Sequence, residues 1–555
     1  MNKNINKKYF EQTPSVLRTT PFGIFVNQAG YYKNSNKIAV IPFACDDFTV
    51  VDLNGNIKYF GKTVSFGYDD ASGDYVWIAD FSELTESGYY CVRAGGRTSA
   101  MFCIGNDVYD GALDKVSKAF YYLRCGCELG ERYASIWNHG KCHTTPARLW
   151  ENRKACLDVT GGWHDAGDYG RYVTAAACAV AHLLYGFKMF PEVFIGQELN
   201  IPETGMPDIL SEVRHELEWM LKMQNEEGGV YHKVTTAVHA PFVMPEEDDG
   251  ELFVFPVSSM ATADFVAVCA LAAGVYEPYD RTFSETLLKA AEKSFGWINT
   301  YSQFIGFINP EGCNTGEYRE SDDYSNRFWA CAEMYALTGE DKYHQKMLLA
   351  AKEFSLTAFG YGEVGGFGAL AYLLCGQNKD IEFERKLKKE FSKRADELKK
   401  IADKSGYCVA MSHDDYCWGS NMNLMMHGMV FAINDILLQD KTCYEYAVSH
   451  INYLFGQNAL GISYVTGIGE FRCNYPHLRP AHADGIEECI PGMVAGGPNR
   501  HRTDRFAKNI IPKHTPAMKC YADDTASYSL NEITIYWNSP TVFMLAYMCD
   551  NQRNK

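Results

Sequence analysis

The sequence predicts a multidomain protein in which an all-β immunoglobulin-like sandwich precedes a larger all-α domain. Hydrophobic residues alternate with a period of about two from residue 22 to 107, and the period becomes about 3.6 from residue 108 onward. The length of 555 residues also favours more than one domain, because it exceeds what one small hydrophobic core accommodates. We therefore expect an N-terminal extension over residues 1–21, the sandwich over 22–107 and the helical domain over 108–555.

Short runs of β-branched and aromatic residues indicate the strands of the sandwich. Ile38–Ile41, Phe48–Val51 and Tyr89–Val92 are such runs. The dipeptide Asn54-Gly55, which follows the second run, is a hairpin signal. About six to eight short strands in roughly 85 residues are typical of an immunoglobulin-like sandwich, here without its disulfide signature.

The second region alternates helical segments with long glycine-rich loops. The clearest helices are predicted at Ser211–Leu221, Ser258–Tyr276, Phe283–Ile298, Arg327–Thr338, Phe383–Ala402, Leu424–Leu438 and Tyr444–Phe455. Ser211 is expected to cap the first of these. The second is the most apolar window, but it contains Asp264 and is rich in alanine, so we expect a buried helix and no membrane span. Such an alternation predicts a toroid of paired helices whose loops build a cleft at one end.

The charge and cysteine content exclude some functions. The 52 Lys and Arg against 69 Asp and Glu leave a net charge of −17, which argues against nucleic acid or an anionic membrane as a partner. The basic N-terminus is not followed by the apolar stretch of a secretory signal. The 19 cysteines are then expected to be mostly reduced core thiols, and the protein to be cytoplasmic.

The segment Gly161–Asp168 places Asp165 and Asp168 in a glycine-bearing turn that can direct both carboxylates into one cavity. Asn531-Glu532, near the C-terminus, offers a third carboxyl group in a different environment. Acid/base hydrolysis of a glycosidic bond requires one carboxylate that activates water and one protonated carboxyl that releases the leaving group. A bare aspartate pair is usually a surface turn, but the flanking Gly-Gly-Trp-His makes this pattern specific.

These segments resemble glycoside hydrolase family 9, in the subgroup with an N-terminal immunoglobulin-like domain. The matching segments are Phe25–Tyr31, Gly161–Asp168, Gly229–Thr235, Gly456–Asn458, Ser463–Gly467, Pro476–Arg479, Asn531–Glu532 and Trp537–Asn538. The resemblance covers nearly the whole chain. It implies a β-sandwich followed by an (α/α)6 barrel, and inverting hydrolysis of β-1,4-glucosidic bonds.

The resemblance also implies roles for the three carboxyl groups. Asp168 is expected to be the general base, Asp165 to help hold the attacking water, and Glu532 to be the general acid. The apolar neighbours of Glu532 in Ser529–Ile533 are expected to raise its pKa and keep it protonated.

Two kinds of side chain are implied in substrate binding. His477 and Arg479 are expected to donate hydrogen bonds to sugar hydroxyls, and their spacing turns both to one side of an extended loop. The family has a second histidine where this chain has Leu478. The candidates for stacking on sugar rings are Trp163, Trp329 and Trp537, for which core packing is an equally good interpretation.

A second group of residues suggests a structural zinc site. Two thiolates and two imidazoles suit tetrahedral Zn²⁺, and the set Cys125, Cys142, His143 and His164 resembles the zinc site of the subgroup. Cys127 and Cys156 lie nearby as alternative ligands. Because His164 directly precedes Asp165, a metal there would brace the catalytic turn.

A calcium site is a further expectation. The family often has an Asp-Glu pair before the Arg of an Arg-aromatic-Trp segment, whereas this chain has Ser325-Asn326 before Arg327. Neutral oxygens are poorer ligands for a hard dication. The substitute ligands are Glu320, Asp322 and Asp323. The acidic run Glu246–Asp249 is expected to be a solvated loop.

The expected function is inverting hydrolysis of β-1,4-glucosidic bonds in cello-oligosaccharides or soluble β-glucans. No secretion signal, cellulose-binding module or docking repeat is seen in the sequence, which favours short imported oligosaccharides as substrates. The alternatives are an exo-β-glucosaminidase on chitosan oligosaccharides and a catalytically silent carbohydrate-binding protein. The sequence does not decide endo versus exo action, preferred chain length or oligomeric state.

Overall fold

The structure is a computed structural model that describes residues 23–202, 204–351 and 354–553. The predicted N-terminal extension over residues 1–21 lies outside the described residues. Strands fill the first part of the described chain up to Gly105, and α-helices dominate from Asp110 onward. This order confirms the predicted change from a β-region to an α-region.

Eight strands build the N-terminal region. They are β1 (Tyr31–Tyr32), β2 (Ile38–Ile41), β3 (Asp47–Asp52), β4 (Ile57–Asp69), β5 (Asp74–Asp80), β6 (Gly88–Ala94), β7 (Arg97–Thr98) and β8 (Phe102–Gly105). The pairing order is β1-β8-β6-β3-β4-β5-β2, with β7 on β6. The first half of β4 pairs with β3 and its second half pairs with β5, so this strand joins the two layers of the sandwich. The predicted Asn54-Gly55 turn between β3 and β4 is confirmed, and Gly55 has φ 81°.

The sandwich has its own core and is docked on the helical region. Its buried residues, such as Val50 and Phe102, form a cluster separate from the helical core. The opposite face of the layer that contains β2 and β5 packs on the helical region, since Val76 belongs to the helical core. Gln28 fixes the contact: its Nε2 donates to the Gly461 carbonyl at 2.8 Å and its Oε1 accepts from the Phe471 amide at 2.8 Å.

The second region consists of helices and one small sheet. The helices are α1 (Asp110–Tyr122), α2 (Glu131–Ala134), α3 (Val173–Met189), α4 (Pro191–Ile195), α5 (Asp208–Lys222), α6 (Ser259–Tyr276), α7 (Arg281–Thr300), α8 (Tyr324–Thr338), α9 (Asp341–Ala350), α10 (Gly365–Leu374), α11 (Ile381–Ala402), α12 (Ser420–Leu438), α13 (Tyr444–Leu454), α14 (Arg479–Ala483), α15 (Arg505–Ile510), α16 (Tyr528–Asn531) and α17 (Ile535–Arg553). The sheet comprises β9 (Ala147–Leu149), β10 (Cys156–Leu157), β11 (Arg171–Tyr172), β12 (Lys233–Thr235) and β13 (Phe253–Val254).

The long helices pack in a closed circuit. Contacts run from α3 to α6, α8, α10, α11, α12 and α17, and α17 packs again on α3. Helices α7, α9 and α13 each pack on the preceding helix in the chain. Helix α6 has the length and hydropathy of a membrane span, but 94% of its apolar window is buried inside the protein. The prediction that this segment is a core helix is therefore confirmed.

The predicted helices are present, and one predicted cap is wrong. Helix α5 begins at Asp208, directly after Pro207, and not at Ser211. Ser211 lies inside the first turn, where its hydroxyl donates to the Pro207 carbonyl at 3.4 Å. A proline before the first turn can end the preceding extended segment, and this signal was stronger than the serine.

Loops from distant parts of the chain meet at one end of the helical region. Ala166 forms a backbone bridge with Thr534, and His477 forms one with Glu532. The loop that contains Ala495 adds a third bridge, to Ile533. These bridges bring the Gly161–Asp168 turn and the C-terminal segment to the same place.

Candidate active site

Glycines shape the turn that carries Asp165 and Asp168. Gly161 has φ 114° and Gly162 has φ 77°, conformations that strain residues with a Cβ. Gly167 is needed for a different reason, because a Cβ there would collide with the carbonyl oxygen of His477. The turn therefore fits closely against the loop that contains His477.

Backbone hydrogen bonds fix the three segments of the site to one another. The Ile535 amide donates to the Asp165 carbonyl at 2.8 Å, and the His477 amide donates to the Asn531 carbonyl at 2.8 Å. The Arg479 amide donates to the Gly167 carbonyl at 3.2 Å. Main-chain contacts thus fix the backbone segments that carry the three carboxyl groups.

Asp168 is buried among hydrogen-bond donors. Its Oδ2 accepts from the Gly170 amide at 3.1 Å and from the Tyr172 hydroxyl at 3.2 Å. His239 Nδ1 lies 3.2 Å from the same oxygen. Burial alone would raise the pKa of Asp168, but His239, Arg479 and the Gly170 amide outweigh burial and hold this pKa well below its usual range. Asp168 is therefore ionised near neutral pH.

Asp165 has the opposite environment although it is three residues away. Its Oδ2 accepts a hydrogen bond from the Tyr318 hydroxyl, and its Oδ1 is buried without a hydrogen-bond partner among the described residues. Burial and the charge of Asp168 raise the pKa of Asp165 well above its usual range, against the smaller effect of Tyr318. The turn therefore holds two aspartates whose pKa values are displaced in opposite directions.

Glu532 is partly buried at the end of α16, beside the two aspartates. Burial and the charges of Asp168 and Asp165 raise the pKa of Glu532 well above its usual range. Arg479 and a hydrogen bond with Trp418 act in the opposite direction but do not outweigh them. A protonated carboxyl group therefore lies beside an ionised one, the arrangement that acid/base catalysis requires.

His477 and Arg479 lie beside the turn and both contact Phe242. The His477 ring meets Phe242 edge-on at 5.2 Å between centroids, and the Arg479 guanidinium lies 5.3 Å from the same ring. His477 Nδ1 lies 2.6 Å from the Thr525 carbonyl, so Nδ1–H donates there. Burial lowers the pKa of His477 to about 4. At neutral pH its Nε2 is therefore an acceptor and not the donor that the sequence predicted.

Two of the three guanidinium nitrogens of Arg479 donate hydrogen bonds within the protein. Its Nη1 donates to the Gly167 carbonyl at 2.6 Å and its Nε donates to the Ala240 carbonyl at 2.8 Å. Arg479 is itself buried. It connects the catalytic turn to the segment around Ala240, and among the described residues no acceptor is found for Nη2.

The predicted stacking tryptophans are wrong, because all three indoles are buried. Trp329 is 0% exposed and its Nε1 donates to Glu333 at 3.0 Å. Trp537 is 3% exposed and contacts Gly419 and Gly496. Trp163 is 1% exposed. Core packing, the other interpretation that the sequence allowed, applies to each of them.

Three exposed aromatic residues lie beside the site. Trp418 is 44% exposed and Tyr528 is 36% exposed, with ring centroids 5.2 Å apart. Tyr528 lies 6.2 Å from the ring of His477, and Phe242 is 36% exposed. Sequence analysis missed these residues and His239. The only local signal was for Tyr528, which lies four residues before Glu532.

The predicted zinc ligands converge. One ligand atom from each of Cys125, Cys142, His143 and His164 lies within 4.8 Å of the others. Cys142 Sγ is 3.8 Å from His164 Nε2, and that nitrogen is 3.4 Å from His143 Nδ1. These separations match the edges of a tetrahedron with Zn–S of about 2.3 Å and Zn–N of about 2.0 Å. The donor set therefore fits Zn²⁺.

The surroundings of Cys125 favour the thiolate form, which is the form that binds a metal. Burial would raise the pKa of Cys125, but a hydrogen bond from Cys142 and the charge of Arg171 hold it well below its usual range. Cys127 is half-buried and Cys156 is exposed, and neither belongs to the converging group.

The residues considered for calcium do not form a comparable group. Within residues 23–202, 204–351 and 354–553, the Cys/His cluster is the group of three or more such ligands that converges. Asp323 pairs with Arg327 at 2.9 Å, and Asn326 donates to Asp264 at 2.9 Å. Calcium stays a prediction from the sequence alone.

Comparison with protein families identifies both regions. The family described as "Glycosyl hydrolase family 9" matches residues 109–545. The "Cellulase N-terminal ig-like domain" matches residues 20–99. A cellodextrinase of Butyrivibrio fibrisolvens is 43% identical over 94% of this chain and 99% of its own length. Endoglucanase D of Acetivibrio thermocellus is 34% identical over 94% of this chain and 83% of its own length.

Solved structures give the same result. A mutant of a thermostable endoglucanase from Alicyclobacillus acidocaldarius has a TM-score of 0.90 at 34% identity, covering 95% of this chain and 100% of that one. AaCel9A in complex with cellobiose-like isofagomine has a TM-score of 0.90 at 34% identity, over 95% of this chain and 99% of that one. A zinc-binding triple mutant of a family 9 endoglucanase has a TM-score of 0.88 at 33% identity, covering 93% of this chain and 99% of that one.

Proposed function

The chain belongs to glycosyl hydrolase family 9, and from this premise we propose that it is an inverting hydrolase of cello-oligosaccharides. Its cellodextrinase and endoglucanase relatives support hydrolysis of β-1,4-glucans. They do not favour the glucosaminidase or silent-binder alternatives. We also propose that the closed circuit of helices is the (α/α)6 barrel that the family implies.

Asp168 is proposed as the general base. It is ionised, and its donors Gly170, Tyr172 and His239 fix its orientation. It would accept the proton of a water molecule as that water attacks the anomeric carbon. In inverting enzymes the base stands about 6.5–9.5 Å from the acid, so that a water fits between base and sugar. Asp165, hydrogen-bonded to Tyr318 through Oδ2, would hold this water through Oδ1.

Glu532 is proposed as the general acid. Its raised pKa keeps a proton on the carboxyl group near neutral pH. That proton would pass to the glycosidic oxygen as the bond to the anomeric carbon breaks. The single observation that carries the proposal is that backbone bridges bring Asp168 and Glu532 to one place, in surroundings that displace their pKa values in opposite directions.

The walls of the site suit a sugar chain. Trp418, Tyr528 and Phe242 present aromatic faces and edges beside the acid and the base. Nε2 of His477 would accept from a sugar hydroxyl, and Nη2 of Arg479 would donate to one. The preference for short oligosaccharides is supported by the cellodextrinase relative, which this chain matches over nearly its full length.

The test is incubation of the purified protein with cellotetraose and, separately, with the glucosamine tetramer. We expect release of glucose or cellobiose from cellotetraose and no cleavage of the glucosamine tetramer. Cleavage of the glucosamine tetramer alone would transfer the proposal to the glucosaminidase alternative. Intact cellotetraose after hours, with folded protein, would refute hydrolysis altogether.

We further propose that Cys125, Cys142, His143 and His164 hold a structural Zn²⁺. Four protein ligands would complete a tetrahedral shell, so the ion would supply a cross-link and no catalytic water. The fit of the donor set supports this assignment, and so does the similarity to a zinc-binding triple mutant of a family 9 endoglucanase. Metal analysis of protein purified without added zinc is expected to give about one equivalent. Well under one equivalent in fully active protein would refute the assignment.

A further inference from the structure

Asp248 occupies an unexpected position. The acidic run Glu246–Asp249 was predicted to be a solvated loop, and Glu246, Glu247 and Asp249 are indeed exposed. Asp248 is turned inward, with its side chain 6% exposed and its Oδ2 3.1 Å from His143 Nε2. Its Oδ1 accepts from the Gly250 amide at 3.2 Å. The prediction was therefore wrong for one of the four residues.

The His143 ring joins Asp248 to the metal-ligand cluster. Its Nδ1 faces His164 Nε2 at 3.4 Å, and its Nε2 faces Asp248. One imidazole nitrogen is thus available to a metal while the other, as N–H, donates to a carboxylate. His143 also has φ 49°, a left-handed conformation that non-glycine residues avoid, so its backbone is held there by its surroundings.

The segment over residues 236–252, here called the roof loop, begins at the catalytic base. It contains His239, whose Nδ1 lies 3.2 Å from Asp168 Oδ2. The Ala240 carbonyl accepts from Arg479 Nε at 2.8 Å, and the Val243 carbonyl accepts from the Tyr169 hydroxyl at 2.5 Å. The roof loop therefore runs from the catalytic base at one end to the Cys/His cluster at the other.

We propose that Asp248 is a positioning residue that attaches the roof loop to the Cys/His cluster. Through His143, a zinc ion in the cluster then fixes the place of His239 and Phe242, and not only the turn that contains Asp165. The inference rests on the proposed function, because it gives the roof loop a role at the Asp168 site. Carboxylate partners of metal-bound histidines orient the ring, and their loss lowers metal affinity by about 10–100-fold.

The experiment compares Asp248→Ala and Asp248→Asn with the control Asp249→Ala, an adjacent exposed carboxylate. Zinc release to a chromophoric chelator and hydrogen exchange of peptides from residues 236–252 are measured without substrate. We expect Asp248→Ala to bind zinc about 10–100-fold more weakly and to increase exchange in the roof loop. Asp248→Asn should lie between Asp248→Ala and the wild type, because its amide oxygen still accepts from His143. The control should match the wild type.

The second part of the experiment removes zinc with a chelator from the wild type and from Asp248→Ala. In the wild type, chelation should increase exchange in the roof loop, with peptides from β3 and β4 as the internal reference for global unfolding. In Asp248→Ala, chelation should increase exchange in the roof loop much less than in the wild type, because the contact between Asp248 and His143 is already lost. With cellotetraose, KM should rise more than kcat falls.

Three results would overturn the proposal. They are unchanged zinc affinity in Asp248→Ala, unchanged exchange in the roof loop, or equal effects of chelation with and without Asp248. If Asp248→Ala does not fold, Asp248→Asn and wild-type chelation decide the question. A wild type that leaves cellotetraose intact would refute the proposed function separately, since exchange and zinc release are measured without substrate.

Discussion

Two segments from distant parts of the chain bring carboxyl groups to one cleft and give them opposite environments. In the Gly161–Asp168 turn, Asp168 receives donors from Gly170 and Tyr172 and lies beside His239. In the C-terminal segment, burial and the two aspartates act on Glu532, and Arg479 and the hydrogen bond with Trp418 do not outweigh them. The pKa of Asp168 is therefore lowered and the pKa of Glu532 is raised. Position in the turn does not by itself lower a pKa, since Asp165 lies in the same turn as Asp168 and its pKa is raised.

Removing the ionised partner should have the largest effect. Asp168→Asn keeps the shape of the side chain but cannot accept the proton of the attacking water. We expect kcat on cellotetraose to fall on the order of 10³-fold or more, with unchanged folding by circular dichroism. Turnover within a few-fold of the wild type would show that Asp168 is not the base.

Removing the proton donor should produce a loss that depends on the leaving group. Glu532→Gln should lower kcat on cellotetraose by on the order of 10²–10⁴-fold, because an alkoxide leaves poorly without a proton. On 2,4-dinitrophenyl β-cellobioside, whose leaving group needs no proton, the loss should be far smaller. Asp168→Asn is the matched control, since it should lose activity on both substrates. Equal losses of Glu532→Gln on both would contradict its role as the acid.

Tyr318→Phe tests the second aspartate. It removes the hydroxyl that donates to Asp165 and orients it toward the water position. A hydrogen bond of this kind contributes about 1–1.5 kcal/mol, so we expect kcat to fall by about 10-fold with KM little changed. A variant that raises KM while keeping kcat would instead place Tyr318 in substrate binding.

The smallest expected effect is a displacement of the pH profile. Because Glu532 must be protonated, kcat/KM should fall as pH rises through its raised pKa, while the lowered pKa of Asp168 keeps the base ionised well into the acid range. Trp418 lowers the pKa of Glu532 through a hydrogen bond. Trp418→Phe should therefore move the alkaline limb to higher pH. An alkaline limb at unchanged or lower pH would show that Trp418 does not lower the pKa of Glu532.

Local motifs made part of this site predictable. The turn around Asp165 and Asp168 depends on glycines within a few residues, and the sequence shows them. The order of β-region and α-region also follows from hydrophobic period, which is a local property. The four Cys/His residues were recognisable because their types suit one metal and because the set resembles the zinc site of the subgroup.

What the sequence did not predict depends on tertiary packing. Whether an indole lies in the core or in the cleft is decided by helices far away in the chain, so Trp329 was misassigned and Trp418 was missed. The same holds for His477, whose role as an acceptor depends on the Thr525 carbonyl 48 residues away. Asp248 looked like its exposed neighbours because only the fold brings it to His143.

The central claim is that an ionised Asp168 and a protonated Glu532 act together in a single displacement. A proton NMR time course of cellotetraose hydrolysis tests it most directly, because it reports the anomer formed before mutarotation. We predict that the new reducing ends appear first as the α-anomer. First appearance of the β-anomer would mean net retention and would contradict the assignment of base and acid.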